Sequence, residues 1–410
     1  MADLVHKESD AAWFVRKMAV IRSNPVKEIL AFTVPKTVPT AVIVGLEANG
    51  LAVARSLAQL HVPSIALAQP GSNTAWDFDA CTVVPGSDWC ADALIDDLIA
   101  IGKSMQKKAT LLITDEQTVP WVSEAREELG QYFEIALPHR RIVDMFLSKT
   151  RFLKLAIREG WPIPETWMIS GKDDLLAHYA EYLYPCIIKP QVKSDAFRRE
   201  APQQSFKVAN QRELLHAYDL IAQWEKEVVI QEWIEGTEEK IGFCLGYSDR
   251  ESVPRAMFAG RKLIQRPVGL GGSAISEPAA PEWAEQMTRL TREIWAKVGY
   301  SGLGSVEFRL RMNSNKPLIM QPTVGFTDIQ SELAALNGIN IPAIAYCDLA
   351  GLPTPDAPPS HGAVRLMSRP SQQQGAPNTI RERVLSVRNS FVEKLTGNRP
   401  KRKAVTLTTH

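Results

Sequence analysis

Four residues scattered through a 410-residue chain have the chemistry to meet a polyphosphate and its metal ion. Lys149 lies in the basic segment "SKTRFLKLAIREGWPIPET", and Lys189 ends the apolar run "YPCIIK", where a cation is costly unless an anion faces it. Glu307 in "GLGSVEFRL" and Gln321 in "IMQPT" stand on two short strand-like runs flanking a turn. A carboxylate and an amide oxygen are ligands that magnesium accepts, although only the first brings charge. Between these pairs, "VVIQEWIEGTEE" offers a strand-edge connector whose backbone at Glu232 and Ile234 can pair with an adenine edge. It ends in Glu238 and Glu239, either of which suits a ribose hydroxyl. Lys262 in "GRKL" adds a cation, and the Arg309 or Arg261 guanidinium can fork onto a substrate carboxylate. Each also has a structural use: Lys149 as a solvated helix lysine, Glu232 as a connector acid facing water, Glu238 and Glu239 as a surface charge run. Lys262 beside Arg261 and Arg266 can serve solubility, and Gln321 can simply pack.

The elements that must position these residues are legible from periodicity. "TAVIVGLEANGLAVARSLAQLHVPSIALA" is a β-rich run, a glycine turn, an amphipathic helix and a second β-rich run, which predicts a βαβ unit and a parallel sheet. "ATLLITDEQTV" adds a buried strand ending near Thr114, Asp115 and Glu116, and "WVSEAREELGQYF" a helix. Gly45 and Gly50 suit either a tight strand-to-helix turn or a small-molecule contact. Their spacing is neither the three-glycine dinucleotide fingerprint nor a Walker loop, which argues against a dinucleotide-dependent oxidoreductase. Farther on, "QVKSDAFRREAPQQS" predicts a mobile loop and "RPVGLGGSA", with Gly269, Gly271, Gly272 and Ser273, a flexible one. Strands in "FKV", "EKIGFCLGYSD" and "VPRAMFAGRKL" and a helix in "PEWAEQMTRLTREIWAKVG" complete the pattern. The expected organisation is an N-terminal helical extension (1–35), an α/β domain (36–145), a central subdomain (146–235), a C-terminal subdomain (236–352) and a peripheral tail (353–410). The fold class is α/β, becoming α+β in the C-terminal half.

A net charge of +1 and 45% hydrophobic residues give no electrostatic footprint for nucleic acid. No run approaches the roughly 18 apolar residues of a membrane span, and the N-terminus lacks an apolar signal core, so a cytoplasmic location is expected. Five cysteines without a C-x-x-C pair predict reduced thiols, and no serine or cysteine stands in an activating setting.

The order and spacing of "SKTRFLKLAIREGWPIPET", "YPCIIKP", "VVIQEWIEGTEE", "GRKL", "GLGSVEFRL" and "IMQPT", behind the βαβ unit, resemble the ATP-grasp superfamily, particularly its carboxylate-amine ligases, over residues 40–350. The resemblance implies a two-part nucleotide clamp behind an N-terminal parallel-sheet domain. It also implies ATP and Mg2+ as cofactors, small-molecule carboxylate and amine substrates, and an acyl phosphate between them; a homodimer is compatible with it. Carried over by position, Lys149 and Lys189 take the phosphates, Glu232 and Ile234 the adenine, and Glu238 the ribose. Lys262 reaches the phosphates or the acyl phosphate, and Glu307 with Gln321 holds the metal.

The chain departs from the family at that metal motif. A Glu-x-Asn-Pro-Arg pattern is expected after Glu307, whereas this chain reads Ile319-Met320-Gln321-Pro322-Thr323, without the second acid, the asparagine or the arginine. Asp328 is a substitute acid or the N-cap of the helix "IQSELAAL". The segment expected to cover the phosphates has no glycine, leaving Lys193, Arg198 and Arg199 as side-chain contacts or as a solvated charge run. The competing reading is therefore a catalytically weak or inactive nucleotide-binding or partner-binding module on the same fold.

Overall fold

The computed structural model describes residues 38–71, 80–192, 194–201, 203, 205–266, 272–312, 314, 316–355 and 366–367. The N-terminal extension, Lys193, Gly269, Gly271 and most of the tail, including its basic end, lie outside them, as does the side chain of Arg198.

Apolar runs separated by helices give the expected parallel sheet. Its strands are β1 (Ala41–Val44), β2 (Ser64–Ala68), β3 (Thr82–Pro85), β4 (Ala109–Ile113) and β5 (Phe133–Ile135), in the order β3-β2-β1-β4-β5. β1, β2 and β4 are buried along their whole length, as strands covered by helices on both faces must be. The single helix expected over 121–133 is instead two short ones, Thr118–Glu124 and Arg126–Leu129. Phe133 opens β5 opposite Ala109, because this 1% exposed ring packs in the core beneath the sheet.

A second, antiparallel sheet contains β6 (Thr166–Ile169), β7 (Cys186–Pro190), β8 (Phe206–Val208) and β9 (Val228–Glu232) in the order β6-β9-β7-β8. It has its own apolar core, centred on Ile188, Phe197, Leu214, Ile221 and Ile230. Phe197 belongs to a short helix, Asp195–Glu200, begun by the Ser194 hydroxyl accepting from the Phe197 amide at 3.2 Å. Part of the expected mobile loop is thus helical, anchored because Phe197 is fully buried against Trp224.

The third sheet holds β10 (Ile241–Ser248), β11 (Pro254–Arg266), β12 (Gly272–Pro278), β13 (Gly302–Leu310), β14 (Pro317–Val324) and β15 (Leu366–Met367), ordered β14-β13-β10-β11-β12-β15. The glycine-rich loop is shorter than its sequence suggests, since Gly272 and Ser273 already pair with Arg266 and Gln265. Helix Pro281–Val298 covers one face through Trp283, Met287, Ile294 and Trp295; helices Gln330–Leu336 and Ile341–Leu349 pack on the other. Both cores run on into the parallel sheet, so the first and third sheets share their interior while the second is packed separately. Among the described residues, no helix is long and apolar enough to cross a membrane.

The turn after β1 explains its glycines. Gly45 has φ +88°, which favours a residue without Cβ, and a Cβ on Gly50 would collide with the Gly45 carbonyl oxygen and lie 3.2 Å from Thr114 Oγ1. Helix Ala48–Ala58 therefore starts flush against the end of β1. Gly50→Ala is expected to lower stability by about 1–3 kcal/mol through overpacking; an unchanged midpoint in denaturant unfolding would show that the turn can yield.

Candidate functional site

A cavity of about 280 Å3 opens where the three sheets meet, and it collects Lys149, Lys189, Glu307 and Gln321. Lys189, next to last in β7, lies on the same face as Ile187, Val229 and Gln231, as their cross-strand pairing requires. Lys149 begins helix Lys149–Glu159, where the Ser148 hydroxyl accepts from the Arg151 amide. The next residue, Thr150, donates its hydroxyl to the Gln191 carbonyl at 2.6 Å, tying this helix start to the chain just beyond Lys189. Two lysines far apart in sequence thus border one space.

On the opposite wall, strand alternation sets the chemistry. Val306, Phe308 and Leu310 point into the core beneath helix Pro281–Val298, so Glu307 and Arg309 project from the other face of β13. Glu307 and Gln321 are directly paired across β13 and β14, which puts a carboxylate and an amide oxygen side by side. The register then slips: Phe308 pairs with Ile319, leaving Met320 as a bulge. Ile319 is consequently fully buried in the core, while Met320 lines the cavity beside Gln321. The expectation that position 319 stands in the second acid's place is therefore corrected, because the bulge turns that side chain away from the cavity.

Lys262, on β11, donates to Glu307 Oε2 at 2.6 Å, and its side chain is only 10% exposed. The pair neutralises one charge of each partner out of bulk water. Arg309 donates to the Gly236 carbonyl at 2.6 Å; burial pushes its pKa down, opposed by nearby Glu307 and Glu238. Glu238 in turn accepts from the Gln265 amide at 2.8 Å. Glu307, Lys262, Arg309 and Glu238 therefore form an alternating set of charges, of which Glu307 lines the cavity.

Other candidates lie outside the cavity lining. Glu232 takes both nitrogens of Arg311, Nη1 to Oε1 at 2.6 Å and Nη2 to Oε2 at 2.7 Å, and its amide donates to the Glu165 carbonyl. That fork raises the Arg311 pKa and fastens β9 of the second sheet to the end of β13 in the third. The neighbouring Gln231, which strand alternation turns to the other face, is the residue that lines the cavity. Ile234 is buried just beyond β9. Arg261 bonds Glu277 and lies over the Trp283 ring, on the face away from Glu307, which corrects its expected pairing with a substrate carboxylate. Asp328 has φ +62° and accepts the Ile329 amide; it neither lines the cavity nor occupies the N-cap position of helix Gln330–Leu336, which falls on Ile329.

Sequence reasoning passed over Glu116, Gln231, Met320 and Thr323, all in the cavity wall. Strand alternation in "VVIQE" could have favoured Gln231 over Glu232, but nothing local signals the bulge. Burial pushes the Cys186 thiol up to about 12 and the Cys244 thiol up to about 11, which keeps both protonated and unsuited to nucleophilic work.

No family model matches the chain. It is similar to the D-aspartate ligase of Enterococcus faecium, 20% identical over 276 residues, and it spans 63% of that protein's length and 63% of its own. Solved structures align over more of it. The biotin carboxylase domain of 2-oxoglutarate carboxylase from Hydrogenobacter thermophilus, determined with MgADP and bicarbonate, superposes with a TM-score of 0.60 at 15% identity, covering 77% of this chain and 70% of the other. N5-carboxyaminoimidazole ribonucleotide synthetase from Thermus thermophilus gives 0.59 at 13% identity over 80% and 82% of the two chains. Phosphoribosylamine–glycine ligase from Thermotoga maritima gives 0.56 at 15% over 80% and 79%. At such identities the likeness is one of fold.

The bulge makes a sharp test of side-chain direction. Ile319→Glu should cost more than about 3 kcal/mol by burying an unpaired carboxylate, whereas Met320→Glu should leave the thermal midpoint within a few degrees of the parent. Equal losses from the two substitutions would contradict the register of β14.

Proposed function

The chain has the ATP-grasp fold, and on that premise we propose that it is an ATP-dependent ligase joining a carboxylate to an amine through an acyl phosphate. The observation that carries this reading is the convergence of Lys149, Lys189, Glu307 and Gln321 on the one cavity where the three sheets meet. A carboxylate resists amines because its leaving group would be oxide. Attack of a carboxylate oxygen on the γ-phosphorus of ATP releases ADP and installs phosphate as a leaving group. The amine nitrogen then adds to the carbonyl carbon, and inorganic phosphate departs with the C–O bonding electrons. The likeness to a D-aspartate ligase supports an amino acid as the carboxylate.

In this reading Lys149 and Lys189 hold phosphate oxygens, which is supported by their lining one cavity with Phe146, Phe152 and Met320, where their charge acts through less water than at an open surface. The paired oxygens of Glu307 and Gln321 fit one magnesium ion that arrives with nucleotide phosphates supplying further ligands. Magnesium bound there offsets the charge of two approaching anions. Among the described residues no group of three acids, histidines or cysteines could hold a metal without nucleotide. Lys262, already on Glu307, lowers the net negative charge of that site further.

Those last two features also favour a second reading, a nucleotide-binding module with little turnover. Hydroxylamine separates the two. With ATP, magnesium and a panel of D- and L-amino acids, a ligase yields a hydroxamate, and Glu307→Gln abolishes it with the fold intact. ATP binding without hydroxamate for any acid assigns the module instead.

Lys189→Ala should weaken ATP binding by about 1.5–3 kcal/mol in calorimetry, the range for a hydrogen bond to a charged group; unchanged affinity would remove Lys189 from the phosphate site. Magnesium should titrate only with nucleotide present, and Gln321→Glu should tighten it by adding a charged ligand next to Glu307. Tight binding of magnesium alone to the parent protein would contradict the single-acid site.

A further inference from the structure

Glu116 lines the same cavity as Lys149, Lys189 and Glu307, and it comes from a different part of the chain. It lies three residues beyond β4, whose neighbour β1 is where the order of the parallel sheet reverses. Ligands of open α/β sheets bind in the crevice outside the carboxyl ends of the strands at such a point. Its neighbour Asp115 is occupied: the Thr118 amide donates to it at 3.0 Å and the Thr118 hydroxyl at 3.1 Å, while burial pushes its pKa up. Glu307 is occupied by Lys262. Glu116 is exposed to the cavity and makes no hydrogen bond or ion pair among the described residues.

An acid in this wall is unexpected on charge alone. The γ-phosphate, the carboxylate substrate and the acyl phosphate are all anionic, and each is repelled by a second carboxylate nearby. The positive charges among the organic reactants are the amine and the ammonium group of an amino-acid substrate, and of these only the amine must lose protons for the bond to form.

We infer that Glu116 binds the incoming amine, holding its ammonium form and receiving the proton it sheds; this rests on the ligase reading above. The ammonium first passes one N–H proton to a Glu116 carboxylate oxygen, which frees the nitrogen lone pair to form the C–N bond; the C–O bond to phosphate then breaks with its electron pair leaving on phosphate, and the second N–H proton leaves with that phosphate. The first and third sheets share an interior, so this wall is fixed relative to Glu307. Lys189 comes in on the separately packed second sheet.

The test divides the reaction in two. Hydroxylamine is a neutral, strong nucleophile that does not require an acid to hold it. Glu116→Gln should therefore make hydroxamate from the amino-acid panel within about twofold of the parent, yet lose about a hundredfold in kcat/KM with the amine that the parent couples best from a panel of primary amines, a loss typical of removing general-base help. Glu116→Asp should recover part of it, and Mn2+ affinity in the presence of ATP should not change. Full activity of Glu116→Gln with that amine overturns the assignment, and so does an equal loss of hydroxamate, which places Glu116 on the ammonium of the amino-acid substrate. So does weakened Mn2+ binding, which places Glu116 on the metal. A parent protein that makes no hydroxamate removes the ligase reading itself and this inference with it, a result that no Glu116 variant is needed to read.

Discussion

The site depends on the alternation of β13. Because Val306, Phe308 and Leu310 must be buried beneath helix Pro281–Val298, a strand with a two-residue repeat has to turn Glu307 and Arg309 the other way. Pairing with β10 on one side and β14 on the other then fixes their neighbours: Gln321 directly across, and Lys262 within reach from β11. A slip of one residue would send Glu307 into the core and Phe308 into the cavity. The apolar core thereby specifies the polar face without touching it.

The second constraint is the uneven sharing of cores. The parallel sheet and the six-stranded sheet are joined by continuous apolar packing, while the four-stranded sheet keeps to itself. The Arg311–Glu232 fork, the Thr150–Gln191 bond and the Ile319 amide on the Pro162 carbonyl at 2.7 Å are among the polar ties that reach across. Polar ties are exchanged with water at little net cost, whereas apolar packing is not. The wall bearing Lys189 is therefore the one whose position the packing fixes least, and the wall bearing Glu307 and Glu116 the one it fixes most.

Charge is distributed to match. Of the cavity's cations, Lys149 opens a helix whose Phe152 and Ala156 sit in the shared core and Lys189 comes from the separately packed sheet, while its acids, Glu307 and Glu116, come from the pair of sheets that share an interior. Lys262 tempers one of those acids from a position just outside the cavity lining. A metal motif with one carboxylate and one neutral amide is a weak cation trap alone, which makes the nucleotide part of the site rather than an occupant of it.

Through a family resemblance the sequence nominated Lys149, Lys189, Glu307 and Gln321, and by itself it determined the parallel βαβ opening and most strands of both antiparallel sheets. Those signals are local periods of apolar residues and their punctuation, and each survives in an isolated segment. Tertiary structure alone decided what each side chain faces. The bulge at Met320 turned Ile319 into the core, and the Arg311 fork took Glu232. Trp283 and Glu277 drew Arg261 to the far face, and burial of Phe197 folded part of a loop into a helix. Each of these outcomes depends on a partner many residues away. Glu116 shows the same limit from the other side: an ordinary acid after a strand in the sequence, it joins the cavity only because β4 ends beside β1 and opposite β13 and β14.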